Sequence, residues 1–308
     1  MKKLFKMTIR KRNTLTGYMF LLPWLFGLLT LSLYPIIYSI RISFSDVRLM
    51  PGEVIMNWYG FDRYLYLFTV HPDFREFLLN DIRFIAVSLL IVLPFSLIVA
   101  ILLNAKFRFR AIFRVVFFLP VIIMSGPAIM SLMGDLNEVG LMNNPILFPV
   151  FMILPGMVAD AAAFVLNNLV TFMWFSGVQI LIFLAGLQKI DSSSYEAAEI
   201  DGASKWECFW KITLPYMKTL ILINAIYTVV EVANFGGTIS PLQGSAINDV
   251  DVTNHIAQVN FFILQNLMNV VRPFSLSAAA SWVYFLSIAL VLVVVLLVYK
   301  FFEGRDKA

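Results

Sequence analysis

The stretch SSYEAAEIDGASKWECFWKITLP, residues 193–215, decides how this chain is read. It follows an uncharged run, 161–188, and places Glu196, Glu199, Asp201, Lys205 and Glu207 before its second tryptophan and Lys211 after it. Around it lies a chain of 308 residues that is 60% hydrophobic and 14% charged. Soluble domains are roughly 45–50% apolar and about 25% charged, so this composition cannot present a wet surface. A polar island in such a chain is a loop between membrane-spanning segments. The fold class expected is all-α, a polytopic membrane protein with short loops.

In hydrocarbon the backbone must satisfy its own hydrogen bonds, so apolar runs of about 20 residues read as helices. Six spans are expected, at about 16–39, 83–105, 114–134, 162–187, 217–238 and 277–301, within a single domain covering 1–308. The run 139–159 is uncharged, but Pro145, Pro149 and Pro155 with Asn143 and Asn144 break a helix repeatedly. It is read as an external, partly interfacial segment. The segment 41–82 is long enough for a small external cap. VTNHIAQVNFFILQNLMNVV, residues 252–271, has a loosely helical apolar spacing suited to an interfacial helix.

Charge sets the orientation. Of the 23 basic residues, only Arg41, Arg48, Arg63, Arg75, Arg83 and Arg272 fall outside if the N-terminus is inside. The others flank the inner ends, including Lys106, Arg108, Arg110 and Arg114 after the second span and Lys189, Lys205, Lys211 and Lys218 around 188–216. That bias obeys the positive-inside rule and puts both termini in the cytoplasm. The first apolar run is too long for a signal peptide's apolar core and lacks a small-residue cleavage site, so it reads as an uncleaved span.

Several chemistries are missing. There is no G-x-x-x-x-G-K-[ST] loop to cradle nucleotide phosphates. His71 and His255, one in each expected outer loop, form no metal-ligand cluster with the lone Cys208, so no metal is expected. No Ser, His and Asp arrangement suggests a hydrolase. The chain reads as a non-catalytic conduit whose driving energy comes from elsewhere, with membrane lipid and no nucleic acid as its surroundings.

Within 188–216, Ser193 and Glu196 have capping-box spacing, as do Ser204 and Glu207. The first predicts a helix over 194–201, closed by Gly202 in a left-handed conformation. The second starts a helix running to about Ile212, with Pro215 near the start of the next span, where its missing N–H costs least. Ala197, Ala198, Gly202 and Ala203 cluster around the turn, and Glu196, Glu199 and Asp201 make its tip acidic. A plain solvated linker needs neither the caps nor the small residues. The segment therefore reads as a docking element.

The same residues carry a resemblance. Glu196-Ala197-Ala198, Gly202, Ile212 and Leu214-Pro215 reproduce the E-A-A, three residues, G, nine residues, I-x-L-P signature of permease subunits of binding-protein-dependent ABC importers. GYMFLLPWLFGLLTLSLYPIIYSIRISFSD (17–46), FRFRAIFRVVFFLPVII (107–123) and SGVQILIFLAGLQKID (176–191) resemble the carbohydrate-uptake, maltose or multiple-sugar branch. FGGTISPL, from Phe235, departs from that branch's GGP. The resemblance implies a type I importer permease fold in a bacterial cytoplasmic membrane. Its partners would be a second permease subunit in a heterodimer, two ATP-binding cassette subunits that hold the ATP and magnesium, and an extracellular or periplasmic solute-binding protein. This chain would need no cofactor. Glu196, Ala197, Ala198, Asp201, Gly202 and Ala203 would then dock on the ATPase as a coupling helix.

For the substrate path, Asn224, Tyr227, Glu231 and Asn234 are spaced 3, 4 and 3 apart on the fifth span, on one face of a helix. Such a face suits a sugar, and it equally suits a polar seam between packed helices. Asn167, Asn168 and Gln179 on the fourth span are further candidates. An ion-gradient-driven secondary transporter or channel, and a permease for a non-sugar polar solute, are the competing readings. The first of these is disfavoured by the lack of internal repeats.

Overall fold

The computed structural model describes residues 9–50, 53–105, 153, 155–239, 258–268 and 274–305. The chain is mostly helical. Among the described residues four helices are long and apolar enough to cross a membrane, or five if one bent pair counts as a single span. The expected span at 114–134 and most of the proline-rich segment 139–159 lie outside the described residues.

Packing divides the chain into two compact units. One comprises Met1–Pro72 with Gln265–Val283. It begins with α1 (Ile9–Gly27), six residues of π-type turn (Leu28–Leu33) and α2 (Tyr34–Ser43), which together form the first span. The π turn has a local cause. Pro35 has no N–H, and its ring would clash with the carbonyl of Leu31 in a regular α-helix. Widening the preceding turn, so that the Tyr34 N–H reaches Leu29, relieves the clash. The external cap expected over 41–82 begins with an antiparallel hairpin, β1 (Ser45–Met50) on β2 (Glu53–Trp58), in register from Ser45–Trp58 to Met50–Glu53. The all-α expectation is corrected here. Pro51-Gly52 between two six-residue segments was the available signal. The hairpin turns back onto α3 (Asp62–Thr69) through the rings of Phe44, Trp58, Phe61 and Tyr64 and the Arg63–Asp46 ion pair. Also within this unit, Trp282 donates from its indole nitrogen to Ser39 at 3.2 Å.

The other unit comprises Asp73–Leu264 with Tyr284–Ala308. It is built on α4 (Phe74–Asn104), α6 (Leu169–Leu187) and α9 (Leu214–Ile239), which pack against one another. Leu97, Ala100 and Leu103 of α4, Ile180, Phe183, Leu184 and Leu187 of α6, and Met217 of α9 form its core. In lipid such packing rests on close contact rather than hydrophobic drive, so small residues matter. Among the described glycines, Gly186 is the one closely covered. A Cβ there would collide with the Leu220 side chain and come within 3.1 Å of the Met217 sulfur.

Helix limits differ from expectation in three places. The second span begins at Phe74 rather than 83, because the helix continues through Arg75, Glu76 and Asp81 and Asp81 finds partners (below). The fourth begins at Gly156, inside the segment read as external, and is a bent pair, α5 (Gly156–Asn167) and α6, with a 66° change of direction. Asn168 sits at the break and donates to the Phe164 carbonyl at 2.9 Å, and Phe84 of α4 stacks on Phe172 and meets Phe164 edge-on, so one ring spans both arms. The fifth span is continuous with the preceding loop helix, through α8 (Lys205–Cys208) and a π-type turn (Phe209–Thr213). Pro215 again follows the π turn, and the Leu214 N–H reaches Phe209. The last helices are α10 (Gln258–Met268), inside the segment read as interfacial, and α11 (Phe274–Arg305), the sixth expected span.

Gly186→Ala should be absorbed by a swing of Leu220. Gly186→Val should cost about 1–3 kcal/mol by overpacking α6 against α9, measured as a lower unfolding midpoint of the purified protein in detergent.

Candidate functional site

The polar island folds as a helical hairpin. α7 (Ser192–Ile200) is capped by Asp191, whose carboxylate accepts the Ser193 backbone N–H at 3.1 Å. This corrects the expected Ser193–Glu196 capping box: the helix starts earlier because an Asp cap outcompetes it, combining a hydrogen bond with charge at the helix N-terminus. The Ser193 N–H holds the Asp191 carboxyl below its usual range. The cap is therefore charged at neutral pH, and its contribution is lost only as pH falls through that lowered value.

The second box is present as expected. Ser204 Oγ accepts the Glu207 N–H at 3.3 Å, and Glu207 Oε2 accepts the Ser204 N–H at 2.8 Å. Between the helices, Gly202 has φ +81°, the left-handed value its position demanded. The Ala203 N–H bonds to Ala198 at 2.9 Å and the Gly202 N–H to Glu199 at 3.1 Å, the paired bonds of a Schellman closure. Glu196, Ala197, Ala198, Asp201, Gly202 and Ala203 thus lie together on α7 and its closing turn. Ala198 and Ala203 are half-buried and the other four exposed.

The hairpin is tied to its base. The Tyr195 and Thr213 hydroxyls hydrogen-bond at 2.8 Å, and a groove of about 360 Å³ runs beneath α7 between Tyr195, Lys205 and Phe209 and the end of α4 at Asn104. Its outer surface is apolar for a loop: Ile200 is 86% exposed and Trp206 69%. Trp206, Phe209 and Trp210 contact one another as a ring cluster. The sequence reading passed over this patch, although aromatic residues at i, i+3 and i+4 were a visible signal.

The second set, on α9, divides. Asn224 is fully buried and donates to the Gln179 carbonyl at 3.4 Å. Gln179, also fully buried, donates from one amide nitrogen to Thr228 at 3.0 Å and to Glu231 at 2.9 Å. Tyr227 and Asn234 lie on the exposed side, and the Asn234 amide donates to its own helix at Val230. The four residues cover an arc of about 80° at 100° per residue, and the contact edge with α6 runs through the middle of that arc. Gln179, the hub, was only a secondary candidate, and Thr228 was missed. Gln179 Oε1 and Asn224 Oδ1 are buried acceptors with no hydrogen-bond partner among the described residues. Asn168 sits at the α5–α6 break, away from this hub.

A further residue passed over is Asp81, read as loop before the second span. It is 2% exposed, and its two carboxylate oxygens accept the backbone N–H groups of Gln258 at 2.9 Å and Val259 at 3.0 Å. Among the described residues no group of three or more His, Cys, Asp or Glu is placed to hold a metal ion.

A bundle of apolar helices bearing a capped polar hairpin is the architecture of a polytopic membrane protein. The chain belongs to the family of binding-protein-dependent transport system inner membrane components, whose pattern matches residues 74–306. It is 31% identical over 225 residues to a probable ABC transporter permease protein of Bacillus subtilis, covering 73% of this chain and 72% of that one. It is 35% identical over 205 residues to the arabinooligosaccharides transport system permease protein of the same organism, covering 65% and 63%. Its fold is similar to a chain of a bacterial alginate ABC transporter solved with an alginate pentasaccharide-bound periplasmic protein, with TM-score 0.65, 20% identity and 96% of each chain covered.

Gln179→Leu should strand the Thr228 hydroxyl and the Glu231 carboxylate and cost about 1–3 kcal/mol. Asn234→Ala, at an exposed position where water replaces a lost bond to Val230, should cost under half as much. Unfolding midpoints of the two variants in detergent compare them directly.

Proposed function

We propose that this chain is the transmembrane subunit of an ATP-driven importer for a sugar or oligosaccharide, forming half of the translocation pathway. The observation that carries the proposal is the folded 192–208 hairpin with its exposed Ile200 and Trp206. It belongs to a chain of this transport family that has no nucleotide-binding loop of its own. Glu196, Ala197, Ala198, Asp201, Gly202 and Ala203 dock into a cleft on a separate ATPase. The small residues allow close approach, and Glu196 offers a charge for a basic partner. Two such hairpins, one on this chain and one on a second permease, are drawn together when two ATPases close, and the permeases rock to alternate access.

In this reading the chain crosses the membrane six times, 114–134 supplying the third span, and both termini lie in the cytoplasm. A solute-binding protein delivers the substrate from outside. The sugar class is supported by the oligosaccharide relative and by the family resemblance over 17–46, 107–123 and 176–191. The α6–α9 seam, with Asn224 and Glu231 at its edge and Tyr227 and Asn234 beside it, is the proposed substrate path. It offers hydrogen-bonding groups and one ring, with two buried carbonyl acceptors still open to a hydroxyl donor.

Vanadate-sensitive sugar uptake by proteoliposomes holding the full complex tests the class. Space around Gly202 is open, so a bulkier residue there disturbs the turn through its left-handed φ rather than by collision. Gly202→Val should leave membrane insertion intact yet lower uptake per ATP hydrolysed by about fivefold or more, the lower end of typical coupling. Wild-type uptake per ATP would sink the coupling role. Glu231→Gln can still accept from Gln179, so it should remain folded while the apparent affinity for sugar falls. An unchanged affinity assigns the seam to helix packing alone.

A further inference from the structure

One buried charge is left without a role by the transport reading. Among the described residues Asp81 is the only acidic or basic side chain that is buried, and both its oxygens accept from the first turn of α10. Burying a carboxylate costs several kcal/mol unless it is fully hydrogen-bonded. Two charge-assisted bonds at the positive end of a helix meet that cost. The contact is reinforced on both sides. The Asn80 amide donates to the Gln258 side chain at 3.1 Å, and Phe74 meets Phe262 at 5.3 Å between ring centroids. From α10, Asn260 donates to the Ala233 carbonyl of α9 at 2.7 Å, and Tyr284 of α11 reaches the same carbonyl at 3.2 Å.

The position matters as much as the bonds. α4 runs from this contact to Asn104, which lines the groove under the hairpin. The 23 residue steps from Asp81 to Asn104 span about 35 Å at 1.5 Å per residue, a full membrane thickness. The Asp81 contact therefore lies at the opposite end of the helix bundle from the hairpin. Such a contact has few intermediate states. Lifting α10 off α4 strands a carboxylate and two N–H groups at once, so the helix is either docked or released.

We infer that Asp81 is a positioning residue that latches α10 onto α4 at the membrane face remote from the ATPase hairpin, and that release of this latch is a step of the transport cycle. The inference rests on the importer reading above. The docked helix ties α4 to α9, where Tyr284 of α11 also bonds, at the end where a solute-binding protein would engage. Opening that end separates helices that α10 joins.

The test uses the complete complex with its binding protein in proteoliposomes. Asp81→Ala should raise ATP hydrolysis in the absence of binding protein by about fivefold or more and shrink the stimulation that the binding protein adds. Asp81→Asn keeps one acceptor for a backbone N–H and should fall between Ala and wild type. If Asp81→Ala does not assemble, a cysteine pair decides the matter. Asn80→Cys with Gln258→Cys, bridged by a short reversible bis-thiosulfonate reagent, should abolish uptake and recover it on reduction, and either single cysteine should be insensitive. Full uptake by the bridged complex, or an unchanged ratio of stimulated to unstimulated hydrolysis in an assembled Asp81→Ala complex, overturns the latch. Loss of binding-protein stimulation in the wild-type complex would instead count against the importer reading itself.

Discussion

Inside hydrocarbon every backbone N–H and carbonyl must find its partner within the protein, and this requirement governs the structure from end to end. It explains why the departures from regular helix are local and compensated. Pro35 and Pro215 each remove a donor and press on a carbonyl four residues back, and each is preceded by a π-type turn that widens the ladder. At the sharp bend after Gly156–Asn167, the Asn168 side chain supplies a hydrogen bond to Phe164. The helix survives its proline because the widened turn keeps the ladder bonded, and at the bend the Phe164 carbonyl holds both the backbone and the side chain of Asn168.

The same requirement extends to side chains. Gln179, Asn224, Thr228 and Glu231 form one cluster between α6 and α9, and Asp81 is satisfied by the start of α10. Polar groups in this bundle therefore act as joints between helices. A joint made of hydrogen bonds is directional and breaks as a unit. The apolar α4–α6–α9 core, closely packed at Gly186, has no such directionality.

Most of the hairpin was legible in the sequence because its determinants are local. A capping box and a left-handed glycine act over three or four residues, so spacing alone located the Ser204 start and the Gly202 closure. The first cap was misassigned because Asp191 and Ser193 compete for the same turn, and spacing does not rank them. The α9 stripe was placed on the right helix and divided only by its neighbour. Asp81 was overlooked for a different reason. Charge marks the end of an apolar run, and what cancels this charge lies 177 residues away in sequence.

The sequence by itself determined the class of molecule, the helices to either side of the polar island, and the turn chemistry of that island, since composition and short-range spacing are properties of neighbouring residues. Only the tertiary structure decided which polar groups meet. Gln179 faces Glu231, Asp81 caps α10, and Trp206 stays uncovered because of the way whole helices pack, and the partner that satisfies a buried group is set by that packing rather than by anything near it in the chain.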